Sequence, residues 1–439
     1  MNFTVIGAGL AGVEAAWYIA NSGFKVTLVE MKPVKFSPAH KNENFAELVC
    51  SNSLKAERLA SAAGLLKEEM LLFGSLCVQT AKETKVPAGG ALAVDRDKFA
   101  AQITEKIKNH PNITVVNKEQ ETIEADENNI VIVATGPLTD GKLGEKIKAL
   151  TGNYLNFYDA AAPIVTADSI DMNIVFGASR YDRGGEDDYL NCPFNKEEYD
   201  AFYDELVNAE SAPLKEFDKN PDVYEGCMPI EIMAKRGRDT IRFGPLKPVG
   251  LRDPRTGHRP WAAVQLRREN ASGTMFNIVG FQTNFKFGEQ KRVFSMIPGL
   301  ANAQFVRYGV MHRNSFINSP KVLTNAYNLK NNENIFFAGQ ITGVEGYMES
   351  ASSGILAAVN AVRLAQGKEK FVPPCTTMMG AITSYISDET VENFQPMGAN
   401  FGIIPPLSEH IRDKKERYAA LADRGINDMK KAIEDFDVR

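Results

Sequence analysis

Two cysteines of this sequence lie in contexts where a thiol could do covalent chemistry. Cys50 lies in the polar stretch "LVCSNSLK", and Cys227 lies in "YEGCMPIE", directly before an arginine-rich segment. A thiolate that adds to the 6-carbon of uracil makes the 5-carbon nucleophilic, which is what an enzyme that modifies a pyrimidine needs beside an RNA-binding surface. We therefore predict that both cysteines are catalytic. The alternative for each is a buried structural cysteine.

The residues that follow Cys50 suggest how its thiol would be activated. No second cysteine lies close to it, so an internal disulfide relay is not expected. Instead, Ser51, Asn52 or Ser53 could cap a helix formed by "LKAERLASAAGLLKEEMLLF". The positive end of that helix would favour the thiolate form of Cys50.

The cysteine pattern also bears on compartment. The chain has five cysteines, and they form no CxxC pair and no metal-ligand spacing: Cys50, Cys77, Cys192, Cys227 and Cys375. This predicts free thiols in a reducing environment, without a metal site. Because no apolar run is long enough to span a membrane, we expect a soluble cytoplasmic protein without a membrane partner. The sequence leaves the oligomeric state open.

The first thirty residues contain the elements that would position this chemistry. In "FTVIGAGLAGVEAAWYIANSGFKVTLVE", an apolar strand leads into a Gly-rich turn, an Ala-rich helix and a second strand that ends at Glu30. Glycines in this arrangement allow a tight turn, close approach to a pyrophosphate and close helix–strand packing, while the acid accepts hydrogen bonds from a ribose. The predicted dinucleotide-binding residues are Gly7, Ala8, Gly9, Leu10, Ala11, Gly12 and Glu30.

Two later segments favour FAD as the dinucleotide. "NIVIVATGPL" is an apolar strand that ends near Thr135 and Gly136, and "NIFFAGQITGVEGYMESASSG" is a strand that ends at Gly339 and Gln340 before a helix of small residues. In flavoproteins with two dinucleotides, such a helix directs its positive end at the flavin. No second GxGxxG is present, so NADH or NADPH would visit as a reductant without a Rossmann domain of its own.

Strand patterns near both ends of the chain predict one sheet with an insertion. The predicted class is α/β, a Rossmann-like FAD-binding domain of the two-dinucleotide flavoprotein type with an inserted α+β domain. The predicted boundaries are 1–160 for the first part of the FAD-binding domain, 161–299 for an inserted RNA or substrate domain, and 300–439 for the second part with C-terminal helices.

Charge is unevenly distributed within the predicted insertion. The whole chain has a formal net charge of −5, residues 182–225 hold fourteen acids and four bases, and residues 235–268 hold ten bases and two acids. A solvated face is the simplest explanation of a charge run, but an Arg-rich segment with interleaved aromatics suits phosphate and base contacts better. The predicted RNA-binding residues are Arg236, Arg238, Arg252, Arg255 and Arg259.

Several motifs together resemble those of the folate- and FAD-dependent tRNA (uracil-5-)-methyltransferases over nearly the whole chain. The motifs are "GAGLAG", "FAELVCSNSLK", "VPAGGALAVDR", "FYDAAAPIV", "YLNCP", "YEGCMPIE", "FGPLKPVGL", "NIVGFQTN", "YGVMHRN" and "FFAGQITGVEGYMESA". The resemblance implies that 5,10-methylenetetrahydrofolate supplies a one-carbon unit, that NADH or NADPH reduces FAD, and that a T-loop uridine of tRNA becomes 5-methyluridine. It also implies that Cys50 and Cys227 are the catalytic thiols, and we assign Cys227 to uracil because of its basic neighbours.

Two further residues are candidates for the folate site. Some members of the family have histidine where this chain has Asn284, so a pterin contact there would be lost. Either His312, in "YGVMHRN", or Phe285 could compensate, although a structural role for this histidine is equally compatible with the sequence.

Other functions stay open at this point. The same chemistry could act on a ribosomal RNA uridine or a wobble uridine, because shape recognition of RNA leaves little sequence signature. A simple NAD(P)H–flavin oxidoreductase has no use for the Arg-rich segment, and a non-catalytic RNA-binding flavoprotein has no use for two motif cysteines.

Overall fold

Strands from both ends of the chain form one sheet of six. The structure is a computed structural model, and it describes residues 1–182, 185, 188–212 and 228–438 of the chain. In the sheet the order is β16-β17-β7-β1-β2-β6, and all neighbours are parallel except β16 and β17. The strands are β1 (Asn2–Ile6), β2 (Val26–Glu30), β6 (Ile113–Asn117), β7 (Asn129–Val133), β16 (Asn328–Leu329) and β17 (Asn332–Phe337). Their β-branched residues suit strands that are buried on both faces.

Helices cover this sheet and form the larger core with it. The helices that pack nearest to the nucleotide-binding turn are α1 (Leu10–Asn21) and α11 (Tyr347–Ala365), which contact each other along their small residues. The others of this part are α2 (Ala62–Leu72), α3 (Leu76–Glu83), α4 (Arg96–Lys108), α5 (Gly141–Thr151), α10 (Ser319–Val322), α12 (Met378–Ser387) and α13 (Lys414–Asp435). No helix in the described part of the chain combines the length and the apolar character needed to cross a membrane.

A second sheet of six strands is antiparallel and lies in the middle of the chain. Its order is β10-β11-β12-β13-β9-β14. The strands are β9 (Ile164–Thr166), β10 (Phe176–Gly177), β11 (Tyr189–Phe194), β12 (Ala262–Arg268), β13 (Met275–Ile278) and β14 (Phe305–Arg307). The helices that accompany it are α6 (Lys196–Asn208), α7 (Ile230–Lys235), α8 (Arg238–Phe243) and α9 (Phe287–Phe294). This arrangement confirms the predicted parallel sheet with an inserted α+β unit.

Two smaller sheets connect these parts. A two-stranded ribbon joins β8 (Leu155–Ala160) to β15 (Met311–Phe316), at the entry to and the exit from the insertion. A three-stranded sheet has the order β3-β5-β4, with β3 (Ser53–Ala56), β4 (Lys85–Val86) and β5 (Ala91–Val94). Because β14 belongs to the second sheet, that sheet extends to Arg307. The domain boundaries given above stay a prediction.

One expectation about local structure is wrong. The segment after Cys50 begins with strand β3 rather than a helix, and α2 begins only at Ala62, with Ser61 as its N-cap. The Ser61 hydroxyl accepts the backbone N–H of Gly64 at 3.1 Å. A serine is a good helix N-cap both at Ser53 and at Ser61, so the local sequence pattern could not show which of the two begins the helix.

Glycines let the nucleotide-binding turn pack between two helices. A methyl group built on Gly12 would lie 1.8 Å from the Gly7 carbonyl oxygen, and one built on Gly354 of α11 would lie 2.1 Å from the Ala11 carbonyl oxygen. Helices α1 and α11 therefore approach each other to a distance that any side chain at Gly354 would prevent.

We predict that Gly354→Ala lowers stability by about 3 kcal/mol, because the new methyl group meets backbone rather than a movable side chain. The measurement is the midpoint of urea unfolding at a fixed flavin concentration. Gly288→Ala is the matched control, since it also lies in a helix but a methyl group there meets nothing within 4 Å. Equal midpoints for the two variants would contradict the close approach of α1 and α11.

Candidate active site

The predicted nucleotide-binding residues meet at the carboxyl edge of the parallel sheet. Gly7 follows β1 with φ +99°, and a methyl group built on it would lie 2.6 Å from the Ala134 carbonyl oxygen at the end of β7. Gly9 starts α1, and a methyl group built there meets nothing within 4 Å. The turn is therefore closed on the side of the protein and open on the side where a ligand would approach.

Glu30 at the end of β2 fixes this turn. Its carboxylate is buried, with one oxygen accepting the Ala8 N–H at 2.7 Å and the other accepting the Lys32 N–H at 3.0 Å. Each carboxylate oxygen can accept a second hydrogen bond. The predicted ribose contact of Glu30 is thus compatible with its structural role.

The loops after β7 and β17 reach the same edge. Gly136 has φ +77° and Gly339 has φ +85°, a region that favours glycine. The Thr135 hydroxyl accepts a hydrogen bond from Thr139 at 2.7 Å, and the Gly339 N–H donates to the Ser353 hydroxyl at 2.7 Å. The Gln340 amide nitrogen donates to Glu345, and the cofactor contact of Gln340 stays a prediction.

These residues fit a bound dinucleotide. Within the described residues, no side chain caps the first turn of α1 or of α11, so backbone N–H groups at both helix N-termini are available to an anionic or carbonyl ligand. The open positions at Gly9 and Gly136, where a methyl group would meet nothing within 4 Å, give such a ligand room to reach the backbone. Leu10 and Ala11 of the motif are buried and pack into the core.

The loop that carries Cys50 docks on the first residue of α11. The backbone N–H groups of Cys50 and Ser51 donate to the Tyr347 hydroxyl at 2.7 and 3.1 Å. The thiol itself donates to the Asp159 carboxylate of β8, with 3.2 Å between Sγ and Oδ2. Cys50 therefore lies beside the edge where the nucleotide-binding loops meet.

The expected activation of Cys50 by a helix N-terminus is wrong. Burial raises the pKa of the half-buried Cys50 thiol well above its usual value, and the negative charge of Asp159 raises it further. The thiol is thus held in its protonated form. The positive charge of Arg307 acts in the opposite direction but does not outweigh these effects.

A second carboxyl group extends this cluster. Glu345 is buried, and burial together with the charge of Asp159 raises its pKa to about 8. Glu345 therefore carries a proton over part of the neutral pH range, unlike an ordinary glutamate. Cys50, Asp159 and Glu345 form a group of neighbouring acids that can hold and exchange protons.

Two arginines hold the Cys50 loop from opposite sides. Arg96 at the start of α4 donates to the carbonyl oxygens of Leu48 and Val49 at 2.7 and 3.2 Å. The buried Arg267 of β12 donates to the Asn52 side chain at 2.9 Å and to the Ser51 hydroxyl at 2.8 Å. Loop residues before and after Cys50 are thereby fixed by charged hydrogen bonds from both parts of the chain.

An irregularity in β14 directs Arg307 toward this loop. Phe305 pairs with Val165 of β9, and Arg307 pairs with Ile164. An advance of two residues along β14 therefore matches an advance of one residue along β9. Such a bulge turns the side chain of Arg307 to the face opposite that of Phe305. Arg307 and Arg96 line an open pocket of about 540 Å³ that also contacts Leu48.

The arginines predicted to bind RNA differ in their surroundings. Arg238 forms ion pairs with Asp200 and Asp204 of α6. The Arg255 side chain is bonded to Asp253. Arg252 donates to the Gly257 carbonyl oxygen at 2.9 Å, whereas Arg236 and Arg259 are exposed. Part of the basic segment is therefore neutralised by neighbouring acids.

The remaining predicted residues lie in the second sheet or at its border. The Asn284 backbone N–H donates to Glu231 at 2.7 Å, and its side-chain amide donates to the Ala212 carbonyl oxygen at 3.1 Å. The backbone of His312 stands opposite Asp159 in the β8–β15 ribbon. Cys227 lies outside the described residues.

Sequence reasoning missed Asp159, Glu345, Tyr347, Arg96 and Arg267. The available signal was an acid inside the apolar stretch "NFYDAAAPIV" and two acids in "GVEGYMES". Buried acids are rare unless they are paired or functional, so each deserved a functional hypothesis.

Comparison with known proteins identifies a family. The family model described as "GIDA: Glucose inhibited division protein A" matches residues 2–369. The chain is 59% identical over 433 residues to the methylenetetrahydrofolate–tRNA-(uracil-5-)-methyltransferase TrmFO of Acetivibrio thermocellus, covering 98% of each chain. It is 57% identical to the protein of the same name from Enterococcus faecalis, covering 99% of each.

Solved structures support the fold. The GidA protein of Aquifex aeolicus in one crystal form gives a TM-score of 0.69 at 16% identity, covering 99% of this chain and 75% of that one. A second crystal form gives 0.68. Together with the sheet order, this likeness confirms the predicted Rossmann-like fold class.

We predict that Asp159→Asn lowers the pKa of the Cys50 thiol, because it removes a negative charge that disfavours the thiolate. The thiolate forms only above its pKa, so the rise of the alkylation rate with pH should shift to lower pH. The measurement is iodoacetamide labelling of the Cys50 peptide by mass spectrometry, with the exposed Cys375 as an internal control. An unchanged pH profile at Cys50 would show that Asp159 does not control its protonation.

Proposed function

The chain belongs to the GIDA family and, within it, to the methylenetetrahydrofolate–tRNA-(uracil-5-)-methyltransferases, and on this premise we propose that it methylates the 5-carbon of a uridine in tRNA. The reaction depends on FAD and on 5,10-methylenetetrahydrofolate as the one-carbon donor. We further propose that the target is a T-loop uridine and that NADH or NADPH is the reductant.

The contact between the Cys50 loop and the dinucleotide edge carries this proposal. A thiol that is bonded to Asp159 and whose loop rests on Tyr347 at the start of α11 supports thiol chemistry next to a bound nucleotide cofactor. A simple flavin oxidoreductase requires no thiol there. The match of nearly the entire chain to proteins of one name favours the same reaction.

The 5-carbon of uracil is a poor nucleophile and must be activated. We assign Cys227 to this step: its thiolate forms a bond to the 6-carbon, and the electron pair of the 5,6 double bond moves toward the 4-carbonyl as an enolate. The enolate then attacks the one-carbon unit, and the bond from that carbon to the nitrogen that carries it breaks. Loss of the proton from the 5-carbon and departure of the thiolate restore the double bond.

The one-carbon unit must also change its oxidation level. A methylene group of methylenetetrahydrofolate needs two electrons and one proton to become a methyl group, and a bound flavin supplies this redox chemistry with NADH or NADPH as the source of electrons. The chain's own contribution is to hold the flavin through the turn from Gly7 to Gly12, with Glu30, Thr135, Gly136 and the Gly339–Gln340 loop around it.

The acid cluster is suited to the proton that leaves the 5-carbon. Cys50 and Asp159 share a proton, and Glu345 has a pKa of about 8, which lies near neutral pH. We propose that this proton moves to the Cys50 sulfur as the Cys50 S–H proton passes to the Asp159 carboxylate, which then returns it to the solvent. Cys50 thus acts as a proton carrier beside the flavin, while Cys227 acts as the nucleophile.

Substrate binding is assigned to the inserted unit, residues 161–299. Arg236, Arg252 and Arg259 are exposed and suited to phosphate contacts, and Arg238 and Arg255 would have to exchange acid partners for phosphate. Asn284 and His312 are the candidates for the folate.

The proposed function predicts which donor labels the RNA. With carbon-labelled methylenetetrahydrofolate, NADPH and a tRNA transcript, label should appear in 5-methyluridine after RNA hydrolysis, measured by mass spectrometry. Labelled S-adenosylmethionine should transfer nothing. A ribosomal RNA fragment serves as the control substrate. Labelling of that fragment instead of tRNA would move the function to ribosomal RNA, and NADPH oxidation without any RNA methylation would leave only an oxidoreductase.

The assignment of the two thiols predicts opposite effects in a trapping experiment. In tRNA with 5-fluorouridine at the target, fluorine cannot leave as a proton does, so the bond from the thiol to the 6-carbon persists. Cys227→Ala should abolish the covalent complex seen by denaturing electrophoresis, whereas Cys50→Ala should keep it and lose turnover with ordinary tRNA. The reverse pattern would exchange the two roles, and full methylation by both variants would exclude both.

A further inference from the structure

Three aromatic rings at the border of the second sheet form a ladder that ends at the surface. The Phe305 and Tyr308 rings are stacked at 5.2 Å with planes 9° apart, and the Tyr308 and Phe287 rings are stacked at 4.8 Å with planes 17° apart. Phe305 packs against the core of the second sheet. Phe287 is 55% exposed although Tyr308 covers one of its faces, so the opposite face of its ring is open to solvent.

The surroundings of this aromatic ladder (Phe305, Tyr308 and Phe287) suit a polar planar ligand. Phe305 and Tyr308 line a pocket of about 290 Å³ together with Lys291, Asn302 and Gln304. Phe287 does not line this pocket, so the pocket supplies polar groups beside the ladder, while the open face of the Phe287 ring lies outside it. Lys291 follows Phe287 by one helical turn and is exposed. Its side-chain ammonium group has no hydrogen-bond or ion-pair partner among the residues that the structure describes.

Neighbouring charges leave Lys291 as the cation available to a ligand. Arg292 is bonded to both Glu289 and Glu205, and Lys286 is bonded to Glu210. In these ion pairs the positive charges of Arg292 and Lys286 are balanced by neighbouring carboxylates. Among the residues that the structure describes around the ladder, a phosphate would therefore meet the unpaired ammonium group of Lys291.

The ladder lies on the face of β14 that points away from the predicted flavin site. The bulge in β14 turns Phe305 to one face and Arg307 to the other, where Arg307 contributes to the pocket near Cys50. The ladder is instead connected to the segment that follows Cys227, because the Ile230 N–H donates to the Gln282 carbonyl oxygen at 2.7 Å, five residues before Phe287. The ladder thus belongs to the side assigned to RNA.

We propose that the open face of Phe287 is a stacking platform for an unpaired base of the tRNA, with Lys291 at the adjoining phosphate. An enzyme that acts on a base within a folded RNA must unstack nucleotides, and aromatic side chains replace the lost stacking without selecting a sequence. This inference rests on the proposed function, since it takes tRNA as the substrate. A folate ring and a second copy of the chain are the competing occupants.

The test compares Phe287→Ala with Phe287→Trp, which keeps an aromatic face. Phe287→Ala should raise the KM for tRNA roughly 5- to 100-fold, the range expected for one lost base–aromatic stack, and leave the KM for methylenetetrahydrofolate and the rate of NADPH oxidation unchanged. Phe287→Trp should keep a KM near that of the wild type. Val306→Ala is the control, because Val306 is 54% exposed in the same strand as Phe305 but outside the ladder.

The Phe287→Trp variant also reports binding without catalysis. Its added fluorescence should be quenched by tRNA and not by methylenetetrahydrofolate, with wild-type protein, which contains two tryptophans, as the background. A Phe287→Ala variant that oxidises NADPH normally and keeps the wild-type KM for tRNA would overturn the proposal. Quenching by folate alone, or on raising the protein concentration without RNA, would assign the ladder to folate or to a second copy. Quenching by tRNA without methylation of any RNA would keep the platform and reject the methyltransferase.

Discussion

The buried guanidinium of Arg267 is the interaction on which the site depends. A buried cation is tolerated only when its hydrogen bonds are made. Arg267 makes them to the side chains of Ser51 and Asn52, the two residues that follow Cys50. The Asn52 amide in turn donates to the carbonyl oxygens of Val94 and Arg268 at 3.0 and 2.9 Å. Strands of the small sheet and of the second sheet are therefore joined at the loop that presents the thiol. Neither part of the chain can shift without leaving a charged or amide group unsatisfied.

This constraint explains why the site lies at a junction rather than within one sheet. Parallel strands bring Gly7, Glu30 and the loops after β7 and β17 to one edge, as open α/β sheets do for nucleotide ligands. The β8–β15 ribbon, through which the chain enters and leaves the insertion, carries Asp159 to the same edge. The residues that we propose for cofactor and for substrate thus come from different parts of the chain, and the hydrogen bonds of Arg267 and Arg96 to the Cys50 loop hold these parts together.

The parts of the site that could be predicted are those whose cause is local. A glycine turn between strand and helix is encoded within thirty residues, and the structure places Gly7 to Gly12 as the motif requires. The environment of Cys50 was mispredicted because its partners are distant: Tyr347 lies 297 residues away and Asp159 lies 109 residues away. Charge counting along the sequence has the same limit. The sequence could not reveal that Arg238 pairs with Asp200 and Asp204, or that Arg267 turns inward while Arg259 stays exposed.

The protonation of Cys50 separates the roles of the two cysteines. A buried thiol beside a carboxylate is a weak nucleophile, because burial and the charge of Asp159 both oppose the thiolate. The same surroundings suit a thiol that passes its proton to the Asp159 carboxylate as it accepts another, and Glu345, whose pKa is about 8, is a neighbour of this pair. A thiol that attacks uracil needs the opposite surroundings, namely cations that stabilise its thiolate. The segment after Cys227 contains ten bases within residues 235–268, and this is the basis on which we propose Cys227, rather than Cys50, as the thiol that attacks uracil.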